Sequence, residues 1–284
     1  MRETIRVTTL SEALDAKHAH PDALPIAGGT DLMVELNFRK RRPEQLLDLN
    51  PVAELRGFTL GDGVLRLGAG LTHTQIVHEL VTLAPALAQA ARTVGSPQIR
   101  NRGTIGGNLA TASPAGDLLP PLIACGATVE LASATATRRV AVAEFCVGPK
   151  RSVLAPDELI VSLDLPLAPG PQEFSKVGTR NAMVIAVCSL CVALDVERRG
   201  VAAAIGSAAP TVCRAPEAEA FAAAELDWEG ASPLDGRVAV RFGELVAAAA
   251  SPIDDVRGTA AYRRHALGVL AARTLAWTWS ARCA

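Results

Sequence analysis

The chain has 284 residues, a formal net charge of −1 at pH 7, 49% hydrophobic residues and only 4% aromatics. This length buries most of its apolar surface and implies two or three subdomains, while the near-neutral charge lacks the basic excess of a nucleic-acid binder. No uninterrupted apolar stretch approaches the roughly 20 residues of a membrane span, and the opening MRETIRVTTLSEALDAKH has no signal-peptide core, which gives the expectation of a cytoplasmic protein.

In chain order, a strand is predicted over residues 4–7 and a helix over 11–17, with Thr9 and Glu12 at capping-box spacing. A second strand ends at Ala27, a helix starts from Asp31, and a third strand covers 46–49. Residues 58–60 and 64–67 flank Gly61-Asp62-Gly63, a hairpin signal. Helical patterns at 74–80 and 83–91 precede a glycine-rich stretch, and strands follow around 128–131 and 159–165. The segment PLAPGP, 166–171, reads as a linker. Beyond it lie apolar strands at 184–196 and 201–205, joined by a charged turn, and then three helical stretches. The last helix places Leu267, Leu270, Ala271 and Leu275 on one face. No internal repeat is present, and the order of elements favours α+β.

Residues 100–117 read RNRGTIGGNLATASPAGD and carry the densest chemistry: Gly103, Gly106, Gly107, the Asn108 amide, the Thr104, Thr111 and Ser113 hydroxyls and the Asp117 carboxylate. Glycine lets a backbone N–H approach a ligand with no Cβ in the way, and a row of such groups binds an anion. A carboxylate downstream can accept hydrogen bonds from a sugar or polyol. These are the needs of a nucleotide diphosphate site, although a glycine-rich surface loop that binds nothing has the same composition. A second segment, LPIAGGTDL at 24–32, runs from a short strand through Gly28-Gly29-Thr30-Asp31 into a helical pattern. In that setting a diphosphate meets backbone N–H groups. The GxGxxG of a Rossmann fold is absent. Two such loops, about eighty residues apart, imply one elongated ligand held from both sides.

The six cysteines are scattered and form no disulfide framework in a chain of this size. Cys188 and Cys191 have metal-ligand spacing but sit in an apolar strand pattern, where residues three apart face opposite sides. They are therefore read as core, and the four loop-borne cysteines an iron–sulfur cluster usually needs are not offered. The basic run Arg39-Lys40-Arg41-Arg42 reads as a solvated loop, with partner docking as its functional alternative. His73 and His78, five apart with no third ligand nearby, read as structural or surface residues.

The segments AGGTDLM, VGSPQIRNRGTIGGNLATASPAGD, LAPDELI and FSKVGTR, in that order, resemble the flavin-binding medium subunit of the molybdenum hydroxylases. That family includes carbon monoxide dehydrogenase, xanthine dehydrogenase and related heterocycle-oxidising enzymes. The likeness extends to AAYRRHALGVLAARTL near the C-terminus. It implies an α+β chain with a two-subdomain FAD-binding fold of the PCMH/VAO-like kind, followed by a C-terminal α+β domain of the CO-dehydrogenase flavoprotein type. The expected boundaries are 1–56, 57–168 and 172–284.

The resemblance also implies a site. Ala27, Gly28, Gly29, Thr30, Asp31 and Leu32 would cradle the FAD diphosphate, and Thr104, Gly106, Gly107 and Asn108 would close the other side. Thr111 and Asp117 match positions that contact the ribityl and sugar portion; the alternative for Asp117 is a helix N-cap before Leu118-Leu119. Ile26 and Ile160 match positions near the isoalloxazine, where apolar flanks affect its potential. Lys176 matches a lysine close to the flavin, with a solvated lysine on an edge strand as the alternative. No histidine or cysteine lies in the matching motifs to form a covalent link. Some relatives shield the flavin with an aromatic residue, but the single tyrosine, Tyr262, lies in the C-terminal helical region. The cysteine-bearing insertion of the benzoyl-CoA reductase branch is absent.

The resemblance further implies partners: a large subunit with the molybdenum cofactor, a small subunit with two 2Fe–2S clusters, assembly as a dimer of heterotrimers, and an external electron acceptor. Two alternatives compete. A self-contained flavin-dependent reductase or oxidase of the same fold would need its own acid or nucleophile over the ring. A non-redox nucleotide-binding module would have no reason for Ile26, Ile160 and Lys176.

Overall fold

The computed structural model describes residues 3–168, 170–230 and 232–283. The chain opens with β1 (Glu3–Arg6), α1 (Leu10–Ala19), β2 (Leu24–Ile26), α2 (Leu32–Asn37) and β3 (Gln45–Asp48), whose strands form a parallel sheet in the order β1-β3-β2. Parallel pairing needs crossovers, and α1 and α2 supply them. The capping box starts α1: Glu12 N donates to Thr9 Oγ1 at 3.2 Å, and Thr9 N donates back to Glu12 Oε2 at 3.3 Å.

Next come β4 (Phe58–Gly61) and β5 (Val64–Gly68), and the hairpin between them turns at Asp62 (φ 50°) and Gly63 (φ 72°). Two consecutive left-handed residues are what a tight two-residue hairpin turn requires. Five helices follow: α3 (His73–Glu79), α4 (Pro85–Thr93), α5 (Pro97–Arg102), α6 (Ile105–Ala110) and α7 (Leu119–Ala124). Then come β6 (Thr128–Ala132), β7 (Thr137–Ala141), α8 (Val142–Phe145), the small ribbon β8 (Cys146–Gly148) with β9 (Arg151–Ser152), and β10 (Leu159–Pro166).

β10 returns to the middle of an antiparallel sheet ordered β4-β5-β10-β6-β7, with Leu163 opposite Leu67 on one side and Val129 on the other. Period-2 alternation separates its faces. Leu65, Leu67, Val129, Leu131, Leu163 and Leu165 are buried in the core, whereas Arg66, Arg139, Glu130 and Asp164 pair on the other face.

The last part holds β11 (Gln172–Val177), β12 (Cys188–Asp195), β13 (Gly200–Gly206) and β14 (Cys213–Arg214), antiparallel in that order, and then α9 (Pro216–Glu225), α10 (Gly236–Ala249) and α11 (Ala260–Cys283). The central strand β12 is covered on both faces, which explains its apolar run, interrupted only by the buried Ser189 before Asp195. Cys188, Leu190, Val192 and Leu194 pack with Phe242, Leu267 and Trp279 from α10 and α11. Cys191 and Ala193 join the core built by the first part of the chain, against which α4 and α7 press the sheet. The strand expected from residue 184 begins at Cys188. Val187 still donates its N–H to the Val177 carbonyl of β11 at 2.8 Å, but its own carbonyl accepts from the buried Arg263 Nη1 at 2.9 Å in place of a strand partner. Among the described residues no helix is long and apolar enough to cross a membrane.

Candidate functional site

The two glycine segments meet. Gly28, just after β2, approaches the end of α5 so closely that a Cβ there would lie 1.9 Å from the Arg102 carbonyl oxygen. Gly29 turns the chain with φ +74° into α2. Among the described residues the amides of Gly28, Gly29, Thr30 and Asp31 have no protein acceptor, so this first loop presents a row of unsatisfied N–H groups.

The second segment is not the open loop its composition implied. Ser96 caps α5 with Pro97 in its first turn, and Thr104 caps α6, its Oγ1 accepting from Gly107 N at 3.0 Å. The Gly106 amide goes to the Ala69 carbonyl and that of Asn108 to the Thr104 carbonyl, both at 2.9 Å. Of the amides expected to close the diphosphate site from this side, those of Gly106, Gly107 and Asn108 are therefore already used within the fold, and among the described residues only that of Thr104 has no protein acceptor. Gly106 itself is a packing glycine, since its Cβ would come within 2.7 Å of the Ala69 Cβ. Gly107 differs, because a Cβ there would meet only Thr104 Oγ1, at 3.0 Å.

Between the segments lies a cleft of two lobes, about 520 and 440 Å³, that meet at Ala27, Thr104 and Gly107. The larger lobe is lined by Ile26, the loop from Gly28 to Leu32, Asn108 and Thr111. The smaller is lined by Ile160, Gly106, Leu55 and Asn50. Thr111 Oγ1 spans the two segments, 3.3 Å from Asp31 Oδ2. Asn108 belongs to the wall of the larger lobe, and its Oδ1 is buried with no protein partner, 3.2 Å from where a Cβ on Gly116 would stand. Ile26 and Ile160, expected to flank one ring, stand in different lobes, so each lobe has its own apolar wall.

Asp117 and Lys176 line neither lobe. Lys176, on the edge strand β11, donates from Nζ to Asp117 Oδ2 at 2.5 Å, and both side chains are 7% exposed. Asp117 also accepts from Thr93 Oγ1 at 3.1 Å. The solvated-lysine alternative is thus replaced by a buried ion pair under α4. The N-cap alternative fails as well, because Leu118 holds that position of α7 without a side-chain cap. Burial pushes the Asp117 carboxyl up from its ordinary range, against the opposing pull of Lys176. Its Oδ1 has no partner.

Of the other ionisable groups of the larger lobe, Lys17, Glu35 and Lys150 were not marked by sequence pattern. Lys17, whose charged form burial disfavours, donates to the carbonyls of Pro21 at 2.6 Å and Ala23 at 2.8 Å. Glu35 is held below the usual carboxylate range, chiefly by its hydrogen bond from Lys150 at 2.5 Å, and Arg41 lies 2.9 Å from it. His73, read as structural or surface, is buried in the wall, and burial together with Arg100 pushes its imidazole down to about 4. His78 is exposed, as is the whole basic run from Arg39 to Arg42. Residues drawn from so many separate segments leave no local periodicity to read.

A row of free amides, a partnerless acceptor at Asn108 and two lobes with apolar walls fit a dinucleotide: a diphosphate near the loop and a flat ring system toward each end. Comparison with known proteins agrees. Residues 1–168 match the family described as the FAD binding domain in molybdopterin dehydrogenase, and residues 173–278 the CO dehydrogenase flavoprotein C-terminal domain. The xanthine dehydrogenase FAD-binding subunit of Escherichia coli O157:H7 is 31% identical over 280 residues, spanning 95% of this chain and 93% of its own length. The nicotinate dehydrogenase FAD-subunit of Eubacterium barkeri is 38% identical over 202 residues, 68% of each chain. Quinoline 2-oxidoreductase from Pseudomonas putida 86 superposes with a TM-score of 0.92 at 25% identity, covering 100% of this chain and 99% of that one. The chain belongs to the family of FAD-binding subunits of the molybdopterin-dependent dehydrogenases. It is the flavoprotein component of an oxidoreductase complex, and the expected α+β fold with its flavoprotein C-terminal domain is the one observed.

Proposed function

We propose that this chain is the electron-transfer subunit of a molybdenum hydroxylase, holding FAD between the 2Fe–2S clusters of a small partner subunit and an external electron acceptor. Substrate would be oxidised at a molybdenum cofactor on a large partner, and the assembly would be a dimer of heterotrimers in the cytoplasm. We assign residues 1–56 and 57–168 to the two flavin-binding subdomains and 172–284 to the C-terminal domain. When bound, FAD would supply the exchange between single electrons and electron pairs that such a junction needs.

The observation that carries this reading is the cleft itself, two joined lobes with apolar walls, the larger of which is lined by the unpaired amides from Gly28 to Asp31. Those amides would hold the diphosphate, with the Thr30 hydroxyl beside them. The caps of α5 and α6 keep Thr104 and Gly107 in place as the opposite wall, so the second segment contributes shape more than donors. Asn108 Oδ1 would accept from a ribityl hydroxyl. Ile26 and Ile160 would each cover a ring and exclude water from it. Lys176 and Asp117, paired with each other outside both lobes, would hold β11 against the flavin-binding part of the chain without touching the cofactor. A charge-assisted hydrogen bond contributes ~1.5–3 kcal/mol, so a few suffice for tight binding without a covalent link.

The test is a visible spectrum of the purified chain followed by acid precipitation. A yellow protein that releases its chromophore to the supernatant supports non-covalent FAD. A colourless protein that takes up no added FAD, or flavin retained in the pellet, contradicts the site as drawn.

A further inference from the structure

Among the described residues, His73 is the ionisable side chain of the cleft that no ion pair or side-chain hydrogen bond accounts for. It opens α3, and its backbone N–H donates to the Gly103 carbonyl at 3.0 Å. One edge of the ring lies against the second glycine segment: a Cβ on Gly103 would come within 2.9 Å of Cδ2 and 3.0 Å of Nε2. The residue is 3% exposed, and Nδ1 is buried with no partner. A buried polar atom without a partner destabilises a fold, and an apolar side chain would fill the same space without that loss.

The same lobe holds the unpaired amides of the first loop and the partnerless Asn108 Oδ1. We propose that His73 is a further cofactor-contacting residue, whose neutral imidazole hydrogen-bonds an oxygen of the diphosphate–ribityl chain of the dinucleotide held in this lobe. The inference rests on the FAD reading above. Burial and the Arg100 guanidinium keep the ring uncharged at neutral pH, and a neutral imidazole carries one donor and one acceptor. Its N–H suits a phosphate or hydroxyl oxygen, while Asn108 offers the complementary acceptor. The two partnerless groups thus form a matched set for a chain of alternating oxygens and hydroxyls.

The experiment uses the full chain in its native assembly, freed of flavin, as wild type, His73→Phe and His73→Gln. FAD affinity is followed by flavin fluorescence, and the melting temperature of the flavin-free protein is recorded. His73→Phe exchanges one flat ring for another, somewhat larger, and removes the polar atoms. It should weaken FAD binding about 10- to 100-fold, the loss of one hydrogen bond to a charged or strongly polar partner. Its flavin-free melting temperature should stay level or rise, because a partnerless buried polar group has gone. His73→Gln restores a donor and should bind FAD nearly as wild type does. Unchanged affinity in His73→Phe overturns the inference and leaves the flavin reading standing. So does a melting temperature that falls in step with affinity, or a Gln variant as weak as Phe. A wild-type protein that binds no FAD overturns the reading and the inference together.

Discussion

Lys176 Nζ stands 2.5 Å from Asp117 Oδ2, and this buried pair ties the first strand of the C-terminal sheet to the segment that follows the second glycine motif. An ion pair so enclosed is expensive to break from one side, because the remaining charge keeps its burial and loses its partner. Lys176→Met should therefore cost about 3–5 kcal/mol in chemical denaturation. Replacing both residues, as Lys176→Met with Asp117→Leu, should recover most of that loss. A single variant as stable as wild type, or a double variant worse than the single, would show that the pair carries little of the docking between the two parts.

The glycines divide by what a side chain would meet. Gly28→Ala drives a Cβ to within 1.9 Å of the Arg102 carbonyl, so the two glycine segments must part, and thermal stability should fall even in flavin-free protein. Gly107→Ala meets only the Thr104 hydroxyl and replaces glycine within a helix, where alanine is favoured by up to about 1 kcal/mol. Its flavin-free stability should hold or rise. Equal destabilisation of the two variants would contradict this division.

Protonation of His73 gives a pH signature. Its folded value, about 4, lies below the ordinary 6.5, so the unfolded chain takes up a proton first as pH falls. Above 6.5 the residue contributes no slope. Between 6.5 and 4 it should remove stability progressively, to about 3 kcal/mol in total. Denaturation of flavin-free protein at pH 7.0 and 5.0 should show this loss in wild type and a smaller one in His73→Gln. Identical slopes in both proteins would remove His73 as the cause.

Local signals were the legible ones. The Thr9–Glu12 box, the Gly61-Asp62-Gly63 hairpin and the switch from strand to helix around Gly28 each depend on a few neighbouring residues, and each stands where the pattern put it. The second glycine stretch was harder, because its composition outweighed its own helix signals: Ser96 before Pro97, and Thr104 before the apolar Ile105. Hydroxyl caps there turned an expected row of free amides into two short helices, and the continuous row of free amides belongs to the first loop, with only Thr104 keeping one among the residues expected to close the site from the second segment. The return of β10 between β5 and β6, the pairing of Asp117 with Lys176 and the arrival of Lys17 and His73 in one cleft depend on long-range packing. No window of sequence displays them.

Cys188 and Cys191 face different cores across the same strand, so no single metal ion can reach both thiols. Burial pushes the Cys188 thiol up to about 12 and that of Cys191 well above its ordinary value, which disfavours the thiolate a metal needs. Replacing both by Ala should leave the iron content of the assembled complex unchanged. Iron lost in proportion to the substitution would overturn the reading of these residues as core.

The electron-relay assignment is tested most directly by Gly107→Val in the assembled complex. The branched side chain enters the waist where the two lobes meet, beside Thr104. A steric loss of about 3 kcal/mol corresponds to about a hundredfold in flavin affinity. The variant should purify with little FAD yet keep its molybdenum and iron–sulfur centres, which belong to other chains. Added substrate should still bleach the iron–sulfur absorbance while turnover with the physiological acceptor collapses, and a dye that accepts electrons upstream of flavin should restore part of the activity. A variant that retains its flavin, or an intact flavin-free complex in which substrate no longer reduces the iron–sulfur centres, would contradict the assignment.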